Sequence, residues 1–137
     1  MRFMTIYKGK EGVPPTPEHQ AAMGTLIENM AKAGVLIATD GLLPSSRGAR
    51  VRISNGNITV TDGPFSEAKE VIGGYAIINV KSKEEAIEYT KDFLRVVGEG
   101  ASEVREMYEA PAFAADRTSD SSVAGKGSNR SQLAANR

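Results

Sequence analysis

Apolar and polar positions along this chain change period several times, and each change marks an element. Residues 2–8 mix β-branched and aromatic side chains and predict a first strand. Gly9, Gly12, Pro14 and Pro15 then break the pattern into a loop. Thr16-Pro17-Glu18 predicts a helix start, with Thr16 as N-cap, Pro17 at the first helical position and Glu18 at the positive end of the dipole. Ala22, Met23, Leu26, Ile27 and Met30 recur at helical spacing, and Gly34 is a natural stop. Residues 35–39 form a short apolar run into Asp40-Gly41, followed by a Pro-, Ser- and Gly-rich loop over 42–48.

The next segment specifies its own register. Residues 50–54 and 57–61 flank Asn55-Gly56, the signature of a two-residue type I′ hairpin. Pairing Ser54 with Asn57 sets Ile53 beside Ile58 and Val51 beside Val60 on one face. Arg50 and Arg52 then share the other face with Thr59 and Thr61. Residues 75–80 are nearly continuously apolar, as in a central strand. Ser82-Lys83-Glu84-Glu85 reads as a capping box, opening a helix with Ala86, Ile87, Thr90, Phe93, Leu94 and Val97 on one face. Gly98 and Gly100 end it, and residues 102–108 predict a last strand.

The order is therefore β-α-β, hairpin, β-α-β. Two such halves place both helices on one face of an antiparallel sheet, an α+β, ferredoxin-like plan. The other sheet face needs a cover, and a second copy of the chain is the simplest one. From about residue 111 to 137, Ala, Ser, Gly and Asn dominate. That composition predicts a weakly ordered tail, with an arm across a dimer partner as the alternative.

Composition narrows the function classes. At 137 residues the chain fits one domain with a modest core. Lys+Arg and Asp+Glu are both 17, which argues against a nucleic-acid partner, where a basic excess is expected. Arg47, Arg50 and Arg52 make a small basic patch, but without interleaved aromatics. With no cysteine there is no disulfide, thiolate metal site or cysteine nucleophile. One histidine and scattered carboxylates give no metal spacing, and no phosphate loop or dinucleotide fingerprint occurs, so no cofactor is expected. The first residues lack a signal-peptide run and nothing approaches a membrane span, so a cytoplasmic location without a membrane partner is the expectation.

Residues 61–75 are the least generic stretch. Asp62-Gly63 is a turn signal, Pro64 stiffens it, and Phe65 is a large apolar anchor. The result is a stiff corner with a carboxylate at the end of a strand. Gly73-Gly74 permits close backbone approach just before Tyr75, where the next strand is expected to begin. Asp62-Gly63-Pro64-Phe65, Glu67, Lys69-Glu70 and Gly73-Gly74-Tyr75 resemble the signature of the YCII-related family, in its DGPF-domain branch. Gly34-Val35-Leu36, Gly41-Leu42, Pro44-Ser45 and Glu103-Val104-Arg105 extend the resemblance over about residues 1–110. The resemblance implies a ferredoxin-like domain that pairs as a dimeric α+β barrel. It brings no settled activity, and some members are encoded beside, or fused to, alternative sigma factors.

Several side chains are candidates for chemistry. Asp62 is either a capping turn residue or the polar centre of a site. Asp40 also sits where a strand meets a glycine; should the two carboxylates share a pocket, repulsion would raise one pKa and make an acid/base pair. His19 lies in the first turn of the first helix, where the dipole favours a neutral imidazole; it is either a proton partner or an exposed helix-start residue. Similar YCII proteins carry a proposed catalytic histidine on this helix, which in ungapped counting falls near Ala22 or Met23, one turn after His19. Glu67, Lys69 and Glu70 are either a solvated charge run or a pocket closure, and Tyr7 and Tyr75 line the pocket or belong to the core. The leading expectation is a homodimer binding a small organic molecule between the first helix and the Asp62 corner. It would transform that molecule by acid/base chemistry. A non-catalytic ligand-binding or sigma-factor-associated accessory protein is one alternative, and a purely structural dimer module is another.

Overall fold

Both helices begin at a hydroxyl cap and end at a glycine. The computed structural model describes residues 1–109, and the fold below is that of Met1–Met107. Thr16 Oγ1 accepts a hydrogen bond from the His19 amide at 3.1 Å, and α1 runs Pro17–Lys32. Gly34, at φ 73°, closes α1: its amide donates to the Ala31 carbonyl and the Val35 amide donates to Met30. Those two bonds satisfy carbonyls that the last turn would otherwise leave unpaired. At α2, Lys83–Val97, Ser82 Oγ accepts from the Glu85 amide at 3.1 Å, and Gly98 at φ 86° donates back to Leu94.

The strands are β1 Arg2–Gly9, β2 Leu36–Gly41, β3 Ala49–Ser54, β4 Asn57–Asp62, β5 Val71–Asn79 and β6 Ala101–Glu106. Four of them form one antiparallel sheet in the order β2-β5-β1-β6. This order, with two crossover helices, is the expected ferredoxin-like α+β arrangement. β3 and β4 pair only with each other. Their register matches the sequence reading: Ser54 faces Asn57, Ile53 faces Ile58 and Val51 faces Val60. Asn55 and Gly56 take φ 51° and 81°, the two positive values that a type I′ turn requires.

Period-2 alternation assigns the sheet's two faces. Phe3 and Ile78 are cross-strand partners, each 1% exposed, and pack with Met30, Val35, Val80 and Ala86 beneath the helices. Leu26, Ala76, Tyr89 and Val104 complete this core. Met4, Ile6, Tyr75 and Ile77 have the opposite parity and lie on the face without helices. They are only partly buried.

The bounds of β2, β5 and β6 differ most from the sequence reading. β2 extends through Asp40 and Gly41, because Asp40 pairs with Tyr75 and Gly41 with Gly74. β6 starts at Ala101 and ends at Glu106. β5 starts at Val71, before the glycine pair, since Val71 and Ile72 already pair with Gly9 and Lys8. Gly73 is absorbed as a bulge opposite Tyr7/Lys8. A Cβ on Gly74 would come within 2.9 Å of the Asp40 carbonyl, so this position inside the strand needs glycine. The expected tail over 111–137 lies outside the described residues.

The Phe3 ring is the centre of the core. Phe3→Ala is expected to cost about 3–5 kcal/mol of unfolding free energy, and Ser82→Ala about 1 kcal/mol, both measured by urea denaturation. A Phe3→Ala loss no larger than that of Ser82→Ala would show that the core is not built around this ring.

Candidate functional site

The corner at residues 62–65 is held by a relay of hydrogen bonds through one serine. Asp62 ends β4 opposite Ala49, and the Gly63 amide donates to the Gly48 carbonyl at 3.0 Å. The Gly63–Pro64 peptide is cis. The Phe65 amide donates to Ser45 Oγ at 2.9 Å, and Ser45 Oγ donates to Glu11 Oε2 at 2.7 Å. The Ser45 amide donates to the other oxygen of the same carboxylate. Glu11 thus caps the 3₁₀ turn Ser45–Arg47 from a different loop. Gly63 lies flat against Ser45: a Cβ there would fall 1.7 Å from the Ser45 carbonyl oxygen. Three loops, after β1, β2 and β4, are therefore joined at Ser45.

A second lock fixes the base of the hairpin. The Arg50 guanidinium sits over the Phe65 ring, 4.1 Å from its centroid, and Arg50 Nη1 donates to Glu67 Oε1 at 2.5 Å. That hydrogen bond, with one from the Glu67 backbone, holds the Glu67 carboxyl below its ordinary 4.5. Beside the corner is a cavity of about 290 Å³, lined by Gly9, Lys10, Glu11, Phe65, Ser66, Ala68, Lys69 and Val71. A shallow hollow of about 420 Å³ lies at the opposite end of the sheet, around Met1, Gly34, Val80 and Glu85, and contains none of the candidate residues.

Asp40 and Tyr75 form the other polar constellation. They are cross-strand neighbours, and the Tyr75 hydroxyl donates to Asp40 Oδ2 at 2.8 Å. The hydrogen bond first, then the carboxylate's charge and some desolvation, push the phenol above its ordinary 10.0. The pair lies on the face without helices, in one cross-strand row with Ile6 and Glu103. On the same face Lys8 Nζ donates to Glu103 Oε2 at 2.6 Å, which lowers the Glu103 carboxyl.

This arrangement agrees with what sequence comparison finds. A family model described as the YCII-related domain matches residues 1–111. The chain belongs to the YCII-related family. It is also similar to an uncharacterized protein of Rhizobium meliloti (strain 1021), 35% identical over 77 residues, or 56% of this chain and 62% of that protein. The matched stretch thus spans less than two thirds of that relative's length.

In this YCII-related domain the sequence candidates separate into distinct groups. Gly63, Pro64, Phe65, Glu67 and Lys69 gather at the corner and its cavity, and Glu70 is exposed just before β5. Asp40 and Tyr75 meet on the open face, whereas Asp62 is exposed at the end of β4 in the hairpin. His19 is exposed in the first turn of α1. Tyr7 faces the helices: its ring meets Phe93 edge-on at 5.4 Å, and its hydroxyl donates to the Glu99 carbonyl at 2.6 Å. The side chain is crowded by glycines, since a Cβ on Gly9 would lie 2.4 Å from its hydroxyl oxygen and one on Gly100 2.5 Å from its ring.

Two residues at the centre of the site, Glu11 and Ser45, were not among the sequence candidates. Ser45 stands in the Pro44-Ser45 pair of the family resemblance, which was the available signal. Glu11 sits in a glycine- and proline-rich loop with no periodicity, and its contact with Ser45 spans 34 residues. Among the described residues no group of three or more His, Asp or Glu side chains is arranged to hold a metal.

Replacing Gly63 by alanine is expected to destabilise the fold by about 1–3 kcal/mol, because the new methyl group meets backbone rather than a side chain that can move. Gly24→Ala, where nothing lies within 4 Å, serves as the control. A thermal-unfolding midpoint for Gly63→Ala equal to the control's would contradict the tight corner.

The Tyr75–Asp40 bond predicts a pH signature. It needs a protonated phenol, so its stabilising effect is present below 10.0 and is lost as pH rises through the higher folded-state pKa. Tyrosinate absorbance, taken as the difference between wild type and Tyr75→Phe, is expected to show Tyr75 ionising later than an ordinary tyrosine. In Asp40→Asn it is expected to ionise earlier than in wild type. An unchanged Tyr75 titration in Asp40→Asn would break the assignment.

Proposed function

We propose that this YCII-related domain binds a small organic molecule and carries out acid/base chemistry on it, with the Asp40–Tyr75 pair as the proton-handling centre. The observation that carries this reading is the 2.8 Å hydrogen bond between a phenol kept protonated and a carboxylate on a partly open sheet face. A carboxylate can take a proton from a substrate carbon or heteroatom, and the adjacent phenol can donate a hydrogen bond to the oxygen where charge develops. The cavity beside Phe65, which neither Asp40 nor Tyr75 lines, is a second place for a ligand: its aromatic wall and the ammonium groups of Lys10 and Lys69, with the Glu11 carboxylate already bonded to Ser45, favour a carboxylate or similar anionic group. Asp62 and His19 remain in this reading as the second carboxylate and the alternative proton partner. The domain acts as a homodimer in the cytoplasm, without a nucleotide or metal. In support, no described helix is long and apolar enough to cross a membrane, and Met4, Ile6 and Ile77 leave an apolar sheet face for a partner to cover.

One observation favours a second reading, a non-catalytic ligand-binding or sigma-factor-associated accessory protein of the DGPF branch. The polar groups of the corner satisfy one another, Glu11 with Ser45, Ser45 with Phe65, and Arg50 with Glu67. Such a corner shapes a pocket without itself supplying a free reacting atom.

A thermal-shift screen of small organic acids against wild type, Asp40→Asn and Asp62→Asn separates the readings. The expected result is an acid that raises the wild-type melting temperature and is consumed over time, with consumption lost in Asp40→Asn. Binding without consumption would move the assignment to the accessory reading, and consumption unchanged in Asp40→Asn would remove the pair from the chemistry.

A further inference from the structure

Two lysines at the corner have no hydrogen-bond or ion-pair partner among the described residues, and both line the same cavity. That space beside Phe65, about 290 Å³, lies at the lower end of the range of small-molecule pockets. Phe65, Ala68 and Val71 give it apolar walls, and Lys10, Glu11 and Lys69 give it charges. Both Glu11 oxygens are held by Ser45, so this carboxylate is not free to pair with either lysine. The lining thus holds two ammonium groups and one carboxylate, a surplus of one positive charge. Of the other carboxylates in the loop, Glu67 is bound to Arg50 and Glu70 is exposed outside the lining. The wall is fixed before any ligand arrives. The Ala68 amide closes a turn on the Phe65 carbonyl at 3.0 Å, the Phe65 amide is held by Ser45, and the Arg50 guanidinium sits over the Phe65 ring. A ligand entering such a site has little loop ordering to offset.

We infer that this cavity is a binding site, separate from the Asp40–Tyr75 centre, for a small monocarboxylate with an apolar body. The inference rests on the preceding reading only for the cavity's preference for an anion. One carboxylate balances the surplus charge of the lining. A second negative charge would find no further cation and would be repelled by Glu11. The body of the ligand goes against Phe65, Ala68 and Val71, where burial of apolar surface adds affinity. Lys10 follows β1 and Lys69 precedes β5, so a carboxylate shared by both ties two loops together. The strand rows keep this site apart from the proton-handling pair. Gly9 and Val71 are cross-strand partners with the parity of Phe3 and Tyr7, the helix side of the sheet. Asp40 and Tyr75 meet on the other side, and neither lines the cavity. A carboxylate held here is therefore not presented to that pair. It is a ligand that braces the loop leading into β5, and not the reacting molecule.

The probe is benzoate, titrated into the full chain by isothermal calorimetry, with benzamide as its uncharged counterpart and phthalate as the dianion. Benzoate is expected to bind saturably. Benzamide is expected to bind about tenfold more weakly, through loss of two partly exposed charge contacts. Phthalate is expected to bind no more tightly than benzoate. No saturable benzoate binding, or equal binding of benzamide, would overturn the site, and tighter binding of phthalate would overturn the monocarboxylate class. These three results need no variant. Lys10→Met combined with Lys69→Met keeps two exposed apolar stems and is expected to lose about tenfold in benzoate affinity. Lys83→Met, in the exposed first turn of α2, is expected to lose none. An affinity unchanged in the double variant would place benzoate elsewhere and overturn the assignment. Separation from the pair is read in Asp40→Asn, whose benzoate affinity is expected to equal that of wild type. An affinity lost there would put benzoate at the pair and overturn the separate site. Benzoate binding that needs both lysines, with no acid consumed in the screen above, would uphold this site and count against the acid/base reading alone.

Discussion

The constraint on which the other features depend is the double use of the Ser45 hydroxyl, which donates to Glu11 and accepts from the Phe65 amide. Each of the three segments it joins is irregular and would be loose alone. Their mutual satisfaction replaces water at several backbone and side-chain groups and leaves one arrangement of the loops. Gly63 makes the approach possible, because any side chain there would enter the Ser45 backbone. The cavity wall at Phe65, the seat of Arg50 and the direction of the hairpin all follow from this junction. The motif at residues 62–65 is therefore a bracket before it is anything chemical.

The sheet separates two kinds of work. Its helix side is a packed core around Phe3 and Ile78, and it takes up Tyr7 as a structural ring wedged among glycines. Its other side holds paired charges, half-buried apolar residues and the Asp40–Tyr75 couple. The two tyrosines suggested alike by the sequence thus lie on opposite sides. Parity along the strands decides this, and the bulge at Gly73 keeps the parity of β5 compatible with β1 at both ends.

Membership of the YCII-related family agrees with the architecture and leaves the chemistry to the individual side chains. The candidate site was legible in part. The corner was visible because Asp-Gly-Pro-Phe is locally improbable and stiff. A pocket shared by Asp40 and Asp62 was conditional on their strand ends lying at one edge, with two independent turn aspartates as the alternative, since no local pattern reports the partner of a strand-end aspartate. In the structure Asp40 takes a tyrosine, and Asp62 ends the hairpin.

By itself the sequence determined what depends on neighbours a few residues apart. Those features are the Thr16 and Ser82 caps, the Gly34 and Gly98 stops, the type I′ turn at Asn55-Gly56, the hairpin register and the order of elements. Each is decided by local backbone preference or by a period of 2 or 3.6. Tertiary structure alone decided that β5 begins at Val71, that Glu11 meets Ser45 and that Tyr75 meets Asp40. It also decided that the half-buried Tyr7 ring packs against Gly9 and Gly100. These contacts join residues that are distant along the chain or sit on different strands, and their partners are chosen by how the sheet and loops close in space. No periodicity along the chain carries that information.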